Sequence, residues 1–273
     1  MRGELVGLRR DGRWVGWVLA VACAAGPFPP RQARADSPEW KFGSSFNYWT
    51  GNYGLPERTD TTYIPFTLTR LFQDGDLGLT IPYIAVKGPS SVTVVDNVAT
   101  PNSSSASSRI VTNSGLGDIL LKGRYYLLEG GDWVPATDLT AEIKFPTADP
   151  DRDLGTGEFD ERLGLSLSKE LPQPFFAMAD AGYTWVGSPP GWGLENRWDY
   201  LVGLGVHLTR KLSASFNYEE VQALVAGGDN IQDVLYGVDF KATRDTTLGA
   251  YLLSGLSSSA PDFGLSLSAG VRF

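Results

Sequence analysis

The chain has 273 residues, 31 acidic against 23 basic side chains, and a single cysteine. A net charge of −8 argues against nucleic-acid partners, which require a basic surface. The body of the chain holds no apolar run long enough for a membrane-spanning helix. This absence does not exclude a transmembrane β-barrel, because barrel strands need only about 9 to 11 residues and are half polar.

The first 35 residues have the layout of a secretory signal peptide. Four arginines precede an apolar run over residues 14–25, and an Ala-Arg-Ala cleavage site ends at Ala35. Cleavage there would remove Cys23 together with six arginines and two acidic residues. The mature chain, residues 36–273, would keep 17 basic and 29 acidic residues, a net charge of −12, without thiol or disulfide chemistry.

The mature chain repeats strand-length segments in which apolar and polar residues alternate. The clearest is a hairpin whose two arms are joined by the turn Glu129-Gly130-Gly131-Asp132. The predicted strands, in chain order, are residues 40–50, 59–72, 76–86, 116–128, 137–145, 159–169, 175–187, 198–208, 212–220, 234–241, 247–253 and 263–273. Pro65 and Pro82 interrupt the second and third strands, because proline has no N–H to donate. Residues 87–113 lack this alternation of apolar and polar residues, which predicts a long mobile loop.

Alternation alone fits a soluble sandwich as well as a barrel, but the connections decide between them. They run long, short, long, short along the whole chain, as in outer-membrane barrels with short periplasmic turns and longer external loops. Aromatic residues near strand ends suit membrane interfaces. They are Trp40, Tyr48, Trp133, Tyr183, Trp185, Trp198 and Tyr218. The sequence therefore predicts an all-β fold, a single antiparallel transmembrane β-barrel of about 12 strands in a Gram-negative-type outer membrane.

Three short segments carry a family resemblance. They are Ser114-Gly115-Leu116-Gly117-Asp118, Lys144-Phe145-Pro146-Thr147 and Leu154-Gly155-Thr156-Gly157. They resemble the outer-membrane barrels classed as transporters of the meta-pathway of phenol degradation. The resemblance implies a channel for passive uptake of small molecules, including aromatic or apolar compounds, and it identifies no binding residue. The alternative is a non-conducting outer-membrane barrel with a surface binding or structural role.

Charged residues of both signs occupy the polar faces of the predicted strands, which would project into one lumen. The lumen-lining candidates are Asp118, Lys122, Arg124, Glu142, Lys144, Arg162, Asp180, Asp199, Glu219, Asp239, Lys241 and Arg272. One hypothesis is a cross-lumen network that narrows the pore and tunes selectivity. The other is that these charges only pair to fill a narrow interior.

An acidic loop offers a weak calcium motif. Asp149, Asp151 and Asp153 alternate, and Asp160 falls where a calcium loop would place its last ligand. Leu154 stands where an EF-hand loop needs glycine, and Asp160 replaces the usual glutamate. A solvated acidic loop is therefore favoured, and the sequence predicts neither a metal nor another cofactor.

His207 is the only histidine, which restricts any enzyme hypothesis. An outer-membrane phospholipase would need its serine and histidine on the lipid-facing surface near the outer leaflet. His207 instead has lumen parity and lies beside a predicted periplasmic turn, so no catalytic residue is predicted. The expected partners are outer-membrane lipid, a small solute and the outer-membrane assembly machinery, which the C-terminal Phe273 would engage.

Overall fold

The structure is a computed structural model that describes residues 39–90, 92–95, 98–101 and 109–273. The predicted signal peptide lies outside these residues. The strands are β1 (Glu39–Gly51), β2 (Thr59–Leu71), β3 (Gly75–Pro89), β4 (Val92–Val95), β5 (Val98–Pro101), β6 (Ile110–Leu116), β7 (Ile119–Leu128), β8 (Ala136–Phe145), β9 (Asp160–Glu170), β10 (Phe175–Trp185), β11 (Arg197–His207), β12 (Leu212–Val221), β13 (Ile231–Lys241), β14 (Thr246–Gly255) and β15 (Phe263–Arg272). A 3₁₀ turn covers Pro150–Arg152. Within these ranges no helix has the length and apolar character to cross a membrane.

Twelve of the strands close into one antiparallel barrel. From β7 to β15 each strand pairs with the next, and β15 then pairs with β1, β1 with β2 and β2 with β3. Strand β3 completes the ring, because its first half pairs with β7 and its second half with β6. Strands β6 and β7 therefore share one position in the barrel wall. The predicted closed barrel of twelve antiparallel strands is confirmed.

Pro82 explains why β6 and β7 are separate strands. Pro65 and Pro82 lie directly opposite each other in the β2–β3 ladder. Since proline donates no hydrogen bond, each leaves a gap in the ladder with the other neighbouring strand. That neighbour is β1 for Pro65, and β6 or β7 for Pro82. Strand β3 changes partner from β7 to β6 beside Pro82, where the Gly117 amide donates to the Pro82 carbonyl at 2.9 Å. Both strands run through their prolines, and Asp118 lies at the break.

Residues 87–113 contain regular structure that the sequence analysis did not anticipate. Strand β3 continues to Pro89, β4 and β5 pair as a hairpin, and β6 begins at Ile110. Valines favour the extended backbone of this hairpin, and Val92 is buried against Tyr53 and Leu55. Burial also raises the pKa of the Tyr53 phenol, which stays neutral. A uniform mobile loop was therefore the wrong prediction for the described part of this segment.

The outer wall of the barrel is apolar and the inner wall is mostly polar. On β9, the exposed side chains of Leu163, Leu165 and Leu167 alternate with the less exposed Arg162 and Ser166. This is the arrangement of a barrel in lipid, where apolar side chains point outward and polar side chains line the interior.

The connections are sorted between the two ends of the barrel. Residues 72–74, 129–135, 171–174, 208–211 and 242–245 connect the strands at one end, and all but 129–135 are three or four residues long. The amide of Trp40 donates to the carbonyl of Phe273 at the same end. We call this the turn end. The loop end carries residues 52–58, the β4–β5 hairpin, and residues 146–159, 186–196, 222–230 and 256–262. The predicted alternation is confirmed, and it assigns the turn end to the periplasm.

Candidate functional site

The inner wall carries a three-strand charge cluster centred on Arg162 of β9. Its guanidinium donates two hydrogen bonds to Asp199 of β11, at 2.9 and 2.5 Å, and one to Asp180 of β10 at 2.6 Å. Ser166 adds a further hydrogen bond to Asp180. All three charged side chains are at most 10% exposed. Because their strands are adjacent, the cluster runs along the barrel wall.

Gly182 makes room for this cluster. A Cβ atom added at Gly182 would lie 2.3 to 2.5 Å from three atoms of the Arg162 guanidinium group. The absence of a side chain at this position of β10 therefore lets the guanidinium lie flat against the barrel wall.

Gly182→Ala should destabilise the barrel by displacing Arg162 from one of its aspartates. We expect a loss of about 1 to 3 kcal/mol in the free energy of unfolding, the usual cost of overpacking. Urea unfolding in lipid vesicles measures it. Gly123→Ala is the matched control, because a Cβ there would meet only Leu77, at 3.8 Å. Equal stability of the two variants would contradict the close packing at Gly182.

A second cluster lies towards the turn end. Arg124 of β7 donates to Asp76 of β3 through Nε at 2.9 Å and a terminal nitrogen at 2.6 Å, and Tyr126 donates to the same carboxylate at 2.9 Å. On the same wall, Lys122 and Glu142 form a looser pair at 3.7 Å, with the lysine side chain 35% exposed. The Lys122–Glu142 pair therefore resembles a solvent-exposed salt bridge more than a buried one.

The third cluster attaches the loop 146–159 to the wall at the loop end. Lys144 of β8 lies 2.7 Å from Asp160 and 3.5 Å from Asp118, and all three side chains are nearly inaccessible. Asp118 also accepts a hydrogen bond from the Ala148 amide at 2.9 Å. Asp118 thus holds the start of the loop, and Lys144 holds the part near its end by donating to Thr156 at 3.3 Å.

The remaining predicted lumen residues also follow the inner-facing register. Glu219 is fully buried. Asp239 accepts a hydrogen bond from Tyr251 at 2.5 Å, and Arg272 pairs with Glu39 at the turn end. Lys241 ends β13, and its amide donates to the Lys211 carbonyl of the adjoining turn. The ion pairs described here join neighbouring stretches of wall or adjacent loops.

The acidic loop uses its carboxylates within the protein. Asp149 caps the 3₁₀ turn by accepting from the Asp151 amide at 3.0 Å, and it pairs with Arg152 at 3.4 Å. Asp153 accepts from Thr93 at 3.0 Å, while Asp160 is bound to Lys144. In the part of the chain that the structure describes, no group of three or more potential ligands is arranged to hold a metal ion.

His207 lies within hydrogen-bond distance of a serine and a glutamate. Its predicted position on the inner face of the strand did not reveal these contacts. Its Nδ1 lies 3.1 Å from Ser213 Oγ, and its Nε2 lies 3.3 Å from Glu170 Oε2. Phe176 packs against the imidazole with ring centroids 4.8 Å apart. The group lies on the inner wall near the turn end, and not on the lipid-facing surface that a phospholipase would use.

Several inner-wall residues were not among the predicted candidates. Asp76 was missed because Pro82 left the facing of β3 ambiguous. Asp233 was missed because β13 begins at Ile231, earlier than predicted. It lies directly opposite Glu219, is fully buried, and has no hydrogen-bond partner for its carboxylate among the described residues. Its parity, shared with Asp239, was the signal that could have found it.

The family described as "Putative MetA-pathway of phenol degradation" matches residues 39–273. This range is the whole barrel from the first residue of β1 to the C terminus. The chain belongs to this family. The resemblance that the sequence analysis drew from residues 114–160 is therefore confirmed. No curated protein is similar enough to the chain to count as a match.

Solved structures of outer-membrane proteins share the fold. An outer-membrane channel from Pseudomonas putida F1 is 14% identical, with a TM-score of 0.64 over 88% of this chain and 97% of that chain. The NanC porin is 10% identical, with a TM-score of 0.50 over 85% and 98% of the two chains. The transport unit of the autotransporter AIDA-I from Escherichia coli is 12% identical, with a TM-score of 0.50 over 88% and 91%. These likenesses show the fold of this family member, a closed β-barrel.

Proposed function

We propose that the barrel is a passive channel for small molecules, including aromatic or apolar compounds, across the outer membrane. The family description refers to phenol degradation, and the structurally similar protein from Pseudomonas putida F1 is itself an outer-membrane channel. Neither fact names the solute of this chain. The proposed function is passive transport, which needs no catalytic residue, cofactor or metal.

The observation that carries this proposal is the way the inner charges pair. Arg162 binds aspartates of the two strands that follow it, and Arg124 binds an aspartate of the strand beside its own. Charges that are neutralised along the wall leave the axis of the barrel to solute and water. They also retain a polar lining, which tunes the selectivity of a pore.

Uptake into liposomes tests the proposal. Vesicles that contain the folded barrel should admit phenol and small polar solutes faster than empty vesicles. Arg124→Ala and Glu142→Ala should change the rate or charge preference of uptake, because each leaves an inner-wall partner unpaired. Uptake identical to that of empty vesicles would refute the channel. Unchanged uptake in both variants would refute the role of the wall charges in selectivity.

One observation favours the alternative of a non-conducting binding barrel. The loop 146–159 is anchored by hydrogen bonds from the Ala148 amide to Asp118 and from Lys144 to Thr156, and it places Leu154 against the inner wall. A loop that occupies the lumen narrows it. A folded barrel with solute binding but no uptake would support this second function.

Export and assembly complete the proposal. Cleavage after Ala35 would release the mature chain, residues 36–273, into the periplasm. Phe273 is 66% exposed and directly follows β15, the strand that pairs with β1. An exposed C-terminal aromatic residue at that seam is available to the outer-membrane assembly machinery, and accumulation of unassembled Phe273→Ala chains would support this.

A further inference from the structure

One row of inner-wall residues is apolar, although the inner wall elsewhere is polar. The residues lie directly opposite one another on six consecutive strands at the loop end. From β13 to β3 they are Leu235, Leu253, Gly264, Trp49, Thr61 and Val86. Tyr63, Ile84 and Leu120 extend the same apolar cluster along the wall. We call these wall residues the apolar row.

Gly264 allows the Trp49 indole to lie along this wall. A Cβ atom at Gly264 would be 2.6 Å from Trp49 Cδ1 and 3.0 Å from Leu253 Cβ. The Trp49 and Tyr63 rings have centroids 6.1 Å apart. Trp49 and Tyr63 therefore give the row aromatic faces against which another aromatic ring can pack.

The cover of the apolar row comes from the loop 146–159. Leu154 is 2% exposed and Ala148 is 4% exposed, and both belong to the same cluster as Trp49 and Tyr63. Their neighbours in that cluster are residues of the barrel wall. A Cβ atom at Gly115 of β6 would lie 3.1 Å from Leu154 Cδ1, and Gly115 lies opposite Ile84. Leu154 therefore buries its side chain at the β3 end of the apolar row.

The segment around Leu154 is held mainly by polar contacts. Arg152 pairs with Asp149 at 3.4 Å, and both side chains are at least half exposed. Arg152 also donates to the Ser114 carbonyl at 3.4 Å, and Thr93 donates to Asp153 at 3.0 Å. Water can replace the exposed Arg152–Asp149 pair at little cost. Asp118 holds the loop through the Ala148 amide and Lys144 holds it through the Thr156 hydroxyl at 3.3 Å, on either side of Leu154, so Leu154 can withdraw while the loop stays attached.

Thr61 supplies a polar group in the middle of the apolar row. It lies between Trp49 and Val86, is 1% exposed, and its hydroxyl has no hydrogen-bond partner among the described residues. A buried hydroxyl without a partner is unfavourable, because it has lost water without replacing it. A ligand that carries one hydroxyl group would satisfy Thr61 while its apolar part covers the row.

We propose that the apolar row is a binding site for a small, uncharged aromatic molecule with one hydroxyl group, and that Leu154 occupies the site until the molecule displaces it. Trp49 and Tyr63 supply the aromatic wall, and Thr61 bonds the ligand hydroxyl. This inference rests on the proposed function, since it assigns a site to the solute of that channel.

Calorimetry on the barrel in lipid nanodiscs, with empty nanodiscs as blank, tests the displacement step with phenol. Leu154→Ala should bind phenol about tenfold more tightly than the wild type, because binding no longer expels a buried leucine side chain. Leu154→Met keeps the apolar volume and should bind phenol as the wild type does. Equal phenol affinity in the folded wild type and Leu154→Ala would overturn the proposal, and heat-modifiable gel mobility verifies folding.

Thr61→Val tests the hydroxyl contact. It should weaken phenol binding about fivefold and leave toluene binding unchanged, because only phenol forms the hydrogen bond. Thr184→Val is the matched control: Thr184 is a 3% exposed threonine on β10, away from the apolar row, and its phenol affinity should equal that of the wild type. An unchanged preference for phenol over toluene in Thr61→Val would overturn the assignment.

Liposome uptake separates failure of this inference from failure of the proposed function. Phenol uptake without any effect of the Leu154 and Thr61 variants on binding would refute the site and keep the channel. The expected binding changes without uptake would support the site and refute the channel.

Discussion

Replacing Arg162 with methionine should cost the barrel about 3 to 5 kcal/mol in the free energy of unfolding. The substitution keeps much of the side-chain volume but removes the cation that two buried carboxylates, Asp180 and Asp199, share. Each would be left without its opposite charge, in a site that water scarcely reaches. Urea unfolding of the folded barrel in lipid vesicles measures the effect.

Two further variants make the result specific to the cluster. Lys122→Met removes a cation whose side chain is 35% exposed and whose partner is 3.7 Å away, so it should cost less than about 1 kcal/mol. Combining Arg162→Met with Asp180→Asn and Asp199→Asn should recover most of the lost stability, because no charge then stays unpaired. If Arg162→Met were as stable as Lys122→Met, the buried cluster would not contribute as described.

Leu165→Arg should destabilise the barrel by about 2 to 4 kcal/mol in a lipid bilayer, the cost of an arginine at the membrane midplane. Leu165 is central in β9, lies opposite Leu139 and Ala181 on the neighbouring strands, and is 46% exposed on the outer wall. The measurement is again the free energy of unfolding in vesicles. In a soluble sandwich, an exposed leucine at this position could accept arginine at little cost.

Leu128→Arg is the depth control for this substitution. Leu128 ends β7 at the turn end and is 47% exposed, so its exposure matches that of Leu165 while its depth does not. The cost near the interface should be about 0 to 1 kcal/mol. Equal costs for the two variants would contradict a membrane around the middle of the barrel.

The strands of this barrel could be predicted because alternation has a period of two residues. Leu163, Leu165 and Leu167 already identify one wall of β9 in the sequence. Proline was the main source of error, since Pro65 and Pro82 suggested interruptions where the structure places them opposite each other in continuous strands. The break between β6 and β7 lies beside Pro82 in the neighbouring wall, and no local pattern indicates it.

Strand parity could predict which charged residues face the inside of the barrel, but not which of them form ion pairs with each other. Parity identified Arg162, Asp180 and Asp199 as inner residues, but their contact depends on the register of three strands. The apolar row was missed for the same reason, because its residues come from six strands. Leu154 gave no signal, since a single leucine in an acidic loop does not reveal that the loop returns to the wall.

Single-channel recording across planar bilayers tests the central claim most directly. The barrel, with folding verified by heat-modifiable gel mobility, should produce discrete openings, because a passive channel with a polar inner wall conducts ions. Folded protein that inserts into the bilayer but produces no openings, and that admits no solute into liposomes, would contradict the passive channel.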